Sequence, residues 1–154
     1  MSAQQIHDLA PLGSIIRFSD GTAQPPRRHH NKLAAWENRN GGGRLIRKEP
    51  RRQSGNVTIP AAFTLHIGDY GAAGTIVLRV HRTFSTDSDL SFAIIERPPA
   101  GAIRILSRPG ERGELVHVAA ERGAATAWLT SHVYPDAVLE EVAADEASAG
   151  RVAA

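Results

Sequence analysis

The sequence predicts an α+β fold: a mostly antiparallel sheet of five to seven strands, packed by one or two helices. Two central segments, residues 62–67 and 75–84, alternate apolar and polar side chains as half-buried strands do. The connections between the predicted strands are too short for the crossovers that parallel pairing requires. Two other segments, residues 29–40 and 119–132, have the residue pattern of helices.

The N-terminal third is predicted to contain two strands and one helix. Residues 13–18 form a short β-type run that ends at the turn sequence Ser19-Asp20-Gly21. Pro25 and Pro26 mark residues 22–28 as a loop. Alanine and leucine favour a helix over residues 29–40, and the triple glycine 41–43 is predicted to end it. Residues 44–48 are predicted as a strand and residues 50–56 as a polar connector.

The centre of the chain is rich in predicted strands. Over residues 62–67, Phe63, Leu65 and Ile67 share one face, and Thr64 and His66 share the other. Residues 68–74 are predicted to turn the chain before the strand 75–84. We expect the apolar side chains of that strand to point inward and the polar ones outward: Ile76, Leu78, Val80 and Phe84 against Arg79, His81 and Thr83.

Shorter strands and a second helix complete the predicted fold. The strands lie at residues 90–96, 102–106, 114–118 and 137–142, between turns rich in proline, glycine and aspartate. The helix, residues 119–132, carries an apolar stripe of Ala124, Ala125, Trp128, Leu129 and His132. We predict a single domain over residues 1–142 and a flexible C-terminal tail over residues 143–154.

Composition excludes several classes of protein. No apolar run approaches the roughly 18–20 residues needed to cross a bilayer, and the first residues lack the basic and apolar pattern of a signal peptide. The 154 residues include no cysteine, which excludes disulfides, thiol nucleophiles and Cys-ligated zinc. A reducing compartment suits such a chain, so we expect a cytoplasmic protein. No nucleotide-binding glycine loop or zinc-peptidase motif is present, and we predict no cofactor.

Charge is distributed unevenly along the chain. Its net value is +2, but residues 1–52 hold ten Lys and Arg against four Asp and Glu, a balance of +6. Residues 53–154 have a balance of −4. A local positive field attracts phosphate groups whatever the total charge. This asymmetry points to an anionic partner, such as a DNA or RNA backbone or an acidic host protein.

The basic segment is the first candidate binding site. On a helix, Arg28, Lys32 and Arg39 fall within about 60° of one another, and the planar guanidinium group matches the geometry of a phosphate. The triple glycine would allow a backbone to approach a phosphate closely. The alternative is a solvated helix face with ordinary arginine usage. The predicted nucleic-acid-binding face consists of Arg28, Lys32, Arg39, Arg44, Arg47, Lys48, Arg51 and Arg52.

The polar face of the central strands is the second candidate. In an antiparallel hairpin Arg79 would lie near His66 across the strands, with His81 one pair further along. Two histidines and an arginine are the groups that a metal-free nuclease would use as base, acid and phosphate ligand. The alternative is an ordinary solvent-facing sheet surface.

No metal site is predicted. Asp87 and Asp89 are typical of a turn, in which aspartate bonds its own backbone. His29 and His30 are adjacent, so on a helix their side chains point about 100° apart and do not converge on one ion. His132 is interpreted as a contact of the helix end with the core, and Trp36 and Trp128 as apolar anchors.

Three stretches carry a resemblance to a group of proteins: residues 16–21 (IRFSDG), 32–36 (KLAAW) and 63–71 (FTLHIGDYG). The chain resembles small uncharacterised proteins carried on bacterial plasmids and integrative elements, over most of its length. The resemblance implies a mobile-element setting and transfers no functional residues. Proteins in that setting are often accessory factors for DNA, or inhibitors of host defence.

The sequence therefore favours a non-enzymatic binding protein of a mobile element that contacts nucleic acid or another anionic partner through its basic N-terminal face. A protein–protein inhibitor of a host defence system is the first alternative. A metal-free nuclease using His66, Arg79 and His81 is the second. Oligomeric state is left open by the sequence.

Overall fold

In the computed structural model, which describes residues 1–149 apart from the side chain of Val77, the chain forms ten strands and four short helices. The helices are α1 (Ala3–Leu9), α2 (His30–Glu37), α3 (Arg122–Ser131) and α4 (Ala144–Ser148). The strands are β1 (Ile15–Ser19), β2 (Gly41–Glu49), β3 (Arg52–Ser54), β4 (Val57–Ile59), β5 (Ala62–Ala72), β6 (Thr75–Ser85), β7 (Ser91–Glu96), β8 (Ile103–Leu106), β9 (Leu115–Ala119) and β10 (Val138–Glu141).

The predicted α+β class with mostly antiparallel pairing is confirmed, although the helices are few and short. The strands divide, however, into a five-stranded sheet of order β6-β5-β2-β1-β7, a three-stranded sheet of order β10-β8-β9, and the hairpin β3-β4. Pro98 and Pro99 follow β7 and lack the N–H groups that pairing requires. The chain therefore leaves the first sheet at that point and starts a second one.

Four phenylalanines form the centre of the main core. The Phe84 ring lies 4.9 Å from Phe18, 5.6 Å from Phe63 and 5.3 Å from Phe92, measured between ring centroids. All four are at most 6% exposed, and each such side chain stabilises the fold by about 1.5–3 kcal/mol. Helix α1 covers this core with the fully buried Ile6.

Helix α1 was not predicted from the sequence. Its start is a capping box, in which the Ser2 hydroxyl accepts from the Gln5 amide and the Gln5 side chain accepts from the Ser2 amide. The predicted helices at 29–40 and 119–132 are present but shorter, and residues 52–59 form a hairpin in place of a polar connector.

The second sheet packs on the polar face of the first. Ile46 on β2 contacts Leu106 and Leu115 of the three-stranded sheet, and α3 packs on its own sheet through the buried Ala125. The face predicted to be solvent-facing is thus partly covered, and Thr64 on it is only 2% exposed. This covering turns an ordinary polar sheet surface into the wall of a cleft.

The β5–β6 hairpin extends beyond the sheet, which corrects two predictions. The turn is limited to Ala73 and Gly74, both with positive φ, instead of spanning residues 68–74. Ile76 and Leu78, predicted to face inward, are 52% and 56% exposed. The pairing of β5 with β2 ends at His66, so within residues 1–149 no third strand continues beside this part of the hairpin.

Arg104 fixes the C-terminal segment to the second sheet. Its side chain is 2% exposed, and Nη2 donates to Glu140 at 2.8 Å and to Glu146 on α4 at 3.0 Å. Within the segment predicted as a flexible tail, residues 143–154, the structure describes α4 over residues 144–148, and Glu146 on this helix is the residue that contacts Arg104. Residues 150–154 lie outside the described residues. Among residues 1–149, no helix has the length and apolarity needed to cross a bilayer.

Candidate functional site

A row of basic side chains crosses three neighbouring strands of the five-stranded sheet. Arg44 on β2 pairs directly with His66 on β5, which in turn pairs with His81 on β6. Directly paired residues of antiparallel strands point to the same face, and strands lie about 4.8 Å apart, so the row is about 10 Å long. The rings of His66 and His81 meet edge to face, with centroids 5.6 Å apart.

Asp69 connects this row to the next cross-strand pair. Its Oδ1 accepts a hydrogen bond from His66 Nε2 at 2.7 Å and lies 3.5 Å from Nε of Arg79, its partner on β6. A carboxylate only accepts hydrogen bonds, so Nε2 of His66 carries the hydrogen. The lone pair of the neutral His66 ring is therefore on Nδ1.

The opposite wall comes from β9 and α3 of the second sheet. The indole of Trp128 stacks on His117 at 4.7 Å and on His132 at 3.9 Å, in both cases nearly parallel. His132 Nδ1 lies 2.9 Å from the carbonyl oxygen of Trp128. Because that oxygen only accepts, Nδ1 carries the hydrogen, and Nε2 has the lone pair when the ring is neutral.

The two walls enclose a cleft of about 350 Å³. Four of its lining side chains are histidines from different elements, and we call it the histidine cleft. Its charged and aromatic lining residues are Arg44, His66, Asp69, Arg79, His81, Glu114, His117, Trp128 and His132.

His117 differs from an exposed imidazole in its acid–base behaviour. Burial lowers its pKa below the ordinary 6.5, and the charges of His132 and Arg44 lower it further. Neither of its ring nitrogens has a hydrogen-bond partner within residues 1–149. His117 is therefore a neutral imidazole at pH 7, with a lone pair available to a bound molecule.

The structure brings His66, Arg79 and His81 together, as the sequence predicted, but in a different register. His66 faces His81 directly, and Arg79 faces Asp69, because bulges interrupt the pairing of β5 with β6 between His66 and Gly68 and again near the hairpin tip. His117 and His132 were not predicted as members of this site. His132 was interpreted as a core contact, yet it is exposed and lines the cleft.

The eight residues of the predicted basic face do not share one surface. Arg44 lies in the histidine cleft and donates to the Gly13 carbonyl at 2.8 Å, and Arg39 pairs with Asp20 and Asp89. Lys48 is partly buried, which lowers its pKa. The remaining five occupy three places: Arg28 and Lys32 beside α2, Arg51 near α1, and Arg47 and Arg52 in a separate cleft.

The triple glycine serves the sheet and not a phosphate. Residues 41–43 belong to β2, and α2 ends before them at Glu37. A Cβ at Gly43 would lie 2.5 Å from the carbonyl oxygen of His66, and one at Gly42 would lie 3.0 Å from that of Ile16. Glycine is therefore required for the close approach of β2 to both of its neighbours.

A second cleft of about 350 Å³ gathers four arginines from two distant segments. Arg47 and Arg52 come from the end of β2 and the start of β3, and Arg108 and Arg112 from the β8–β9 loop. Glu49 and Glu111 are the only acids in its lining, and Arg47 Nε lies 3.4 Å from Glu49 without forming a hydrogen bond. Within residues 1–149, no carboxylate lies within 4.0 Å of Arg52, Arg108 or Arg112. We call this site the arginine cleft.

The chain belongs to the family of uncharacterised conserved proteins UCP036055, whose family model matches residues 1–146. The matched range contains every residue of both clefts. No curated protein and no solved structure matches the chain.

Proposed function

We propose that this protein binds the phosphate backbone of nucleic acid through the arginine cleft, as an accessory protein of a mobile element. One observation carries the proposal: Arg47 and Arg52 of the basic N-terminal third meet Arg108 and Arg112 from a loop some 60 residues further along the chain. The basic face predicted from the sequence is thereby replaced by a smaller site that includes two of its members.

The chemistry of the cleft suits a phosphate group. Guanidinium groups bind phosphate oxygens through two parallel hydrogen bonds, and each retains its charge at any physiological pH. Three of the four arginines have no carboxylate partner in the described chain, so binding a phosphate breaks few existing ion pairs. Because these arginines would contact the phosphates of the nucleic acid and not its bases, we expect little discrimination between sequences.

The test is a fluorescence-anisotropy titration with labelled DNA and RNA of about 20 nucleotides, starting at about 50 mM salt. The double variant Arg108→Gln/Arg112→Gln is compared with Arg27→Gln/Arg122→Gln, which removes the same charge from exposed positions outside the cleft. We expect the cleft variant to bind at least tenfold more weakly and its slope of log K against log salt to fall by about two. Equal losses in the two variants, or no binding by the unmodified protein, would contradict the proposal.

A protein partner is the second candidate, and one feature favours it. Tyr70, Ile76 and Leu78 are all more than half exposed on the part of the β5–β6 hairpin that extends beyond the sheet. Such a projecting apolar surface suits an inhibitor of a host defence protein. This alternative predicts a host-protein complex that survives nuclease treatment and is lost in an Ile76→Ser/Leu78→Ser variant.

A cytoplasmic location and a mobile-element setting belong to the same proposal. The absence of cysteine suits a reducing compartment that contains nucleic acid. A transfer or defence locus beside the gene would support this setting.

A further inference from the structure

The histidine cleft has the components of an acid–base site that the arginine cleft lacks. Its imidazoles lie on two facing walls: His66 and His81 on the five-stranded sheet, His117 and His132 on the second sheet and α3. Within residues 1–149 no three His, Asp or Glu side chains are placed to hold a metal ion together. The arrangement thus favours proton transfer between the walls over metal binding.

The four rings differ in what they can donate or accept. His117 has no hydrogen-bond partner within residues 1–149 and, at neutral pH, no charge, so it can accept a proton. His81 is exposed and also has no hydrogen-bond partner within residues 1–149, so its ring nitrogens are free to reach a bound molecule. His66 is fixed by Asp69, and His132 by the Trp128 carbonyl.

Two arginines provide the charge for an anionic group between the walls. Arg44 begins the cross-strand row that continues through His66 to His81, and Arg79 lies beside it next to Asp69. Arg44 uses one Nη1 hydrogen for the Gly13 carbonyl, which orients the guanidinium and leaves its other N–H groups available. Together they can neutralise a phosphodiester in the cleft.

Among the described residues that line the histidine cleft, none has a hydroxyl, thiol or amine side chain. A covalent intermediate on serine, threonine, cysteine or lysine is therefore unavailable there. No such protein nucleophile is needed when the substrate carries its own nucleophile next to the scissile phosphate. The 2′-hydroxyl of RNA is such a nucleophile, and DNA lacks it.

We propose that the histidine cleft cleaves RNA by metal-free 2′-O transesterification, with His117 as the base, His81 as the acid and Arg44 and Arg79 bound to the phosphate. His117 takes the proton of the 2′-hydroxyl, and the 2′-oxygen forms a bond to phosphorus. The bond from phosphorus to the 5′-oxygen breaks, and that oxygen receives a proton from His81. The products are a 2′,3′-cyclic phosphate and a free 5′-hydroxyl, so no water, metal or oxidant is consumed.

Asp69 and His66 act as positioning residues in this scheme. Asp69 holds the His66 ring at 2.7 Å, and the His66 ring in turn packs edge to face against His81. Loss of the Asp69 carboxylate frees the rings of His66 and His81. The two reacting imidazoles, His117 and His81, both remain. We expect Asp69→Asn to lower kcat mainly, and to change KM only through Arg79, which loses its carboxylate partner.

The experiment uses a fluorogenic RNA of about four nucleotides in the presence of EDTA. So short a substrate tests cleavage apart from binding of the longer probe at the arginine cleft, and the Arg27→Gln/Arg122→Gln protein, which is changed outside both clefts, should cleave it at the normal rate. This arm separates failure of the present proposal from failure of the nucleic-acid-binding proposal. A cyclic phosphate product, a bell-shaped pH profile and an inert substrate with a 2′-deoxy sugar at the scissile position are the expected results.

The variants His117→Ala and His81→Ala should each lower the rate by at least 100-fold. His29→Ala is the matched control, because His29 is an exposed histidine outside the cleft, and it should leave the rate unchanged. Circular dichroism checks the fold of each variant. If His117→Ala does not fold, His117→Gln takes its place. Equal rates for the unmodified protein and a His81→Ala/His117→Ala protein purified in parallel would overturn the proposal, as would cleavage of all-deoxy substrate.

Discussion

The histidine cleft and the arginine cleft enclose similar volumes, about 350 Å³ each, but different parts of the fold build them. In the histidine cleft, the row Arg44–His66–His81 is set by the register of three paired strands. In the arginine cleft, Arg108 and Arg112 lie on an exposed loop, and Arg52 lies on a short exposed hairpin. The first site therefore depends on the sheet, whereas three of the four arginines of the second can be changed with little effect on the fold, Arg47 on β2 being the exception.

Gly43→Ala should have the largest effect on stability, and it tests whether strand register builds the histidine cleft. The added Cβ would lie 2.5 Å from the His66 carbonyl oxygen, so β2 and β5 must separate next to the pair Arg44–His66. Overpacking of this kind costs about 2–3 kcal/mol. Chemical denaturation measures the loss in the free energy of unfolding.

Gly68→Ala is the matched control for that variant. It lies on β5, and its Cβ would meet only the Tyr70 ring, at 3.8 Å, which is an ordinary contact. Because alanine restricts the unfolded chain more than glycine does, we expect a neutral or slightly stabilising effect. Equal destabilisation by the two variants would mean that the close strand approach at Gly43 does not limit stability.

Trp128→Ala should have an intermediate effect, confined to the second wall. The half-buried indole stacks on both His117 and His132, and its loss should cost about 2 kcal/mol, less than for a fully buried tryptophan. Because burial is the main cause of the lowered His117 pKa, removing the indole should raise that pKa toward 6.5. NMR titration of the histidine ring protons measures the change.

Trp36→Ala is the control, since Trp36 lies on α2 and donates to the Thr22 carbonyl, away from the cleft. It should leave the pKa of His117 unchanged.

In the unmodified protein, the unfolded chain binds a proton at His117 more readily than the folded one. The contribution of His117 to the free energy of unfolding is therefore complete above pH 6.5. It is lost as the pH falls through 6.5 toward the pKa of His117 in the folded protein. If Trp128→Ala left the pKa of His117 unchanged, the indole would not provide the burial that we assign to it.

Local patterns predicted most of the strands but not how the sheets are arranged. Alternation over residues 62–67 and 75–84 identifies β5 and β6, yet it does not show that the chain leaves the first sheet after Pro98. The Ser2 to Gln5 spacing of a capping box was available as a signal for α1, but a seven-residue helix is too short for periodicity to reveal. The triple glycine 41–43 was predicted to end the helix, and only the neighbouring strand shows why Gly43 is needed within β2.

The candidate site was only partly predicted, because local patterns do not show how the two sheets pack. His66, Arg79 and His81 lie on one local hairpin, so hairpin pairing alone brings them together. His117 and His132 reach the cleft only because the second sheet packs on the first, which no local pattern encodes. Arg108 and Arg112 likewise join Arg47 through tertiary packing, and a count of charges along the chain assigned them to the acidic part.

Arg108→Gln/Arg112→Gln should have the smallest effect on stability, and it completes the comparison of the two clefts. Both side chains are exposed on the β8–β9 loop and have no carboxylate partner within residues 1–149, so their loss should change the free energy of unfolding by no more than about 0.5 kcal/mol. Denaturation of this variant beside the Gly43→Ala protein provides the contrast. A loss above about 1 kcal/mol would mean that these arginines hold the loop in place. The weaker nucleic-acid binding expected of the same variant would then reflect a displaced loop as well as lost charge, and the arginine cleft would depend on the fold as the histidine cleft does.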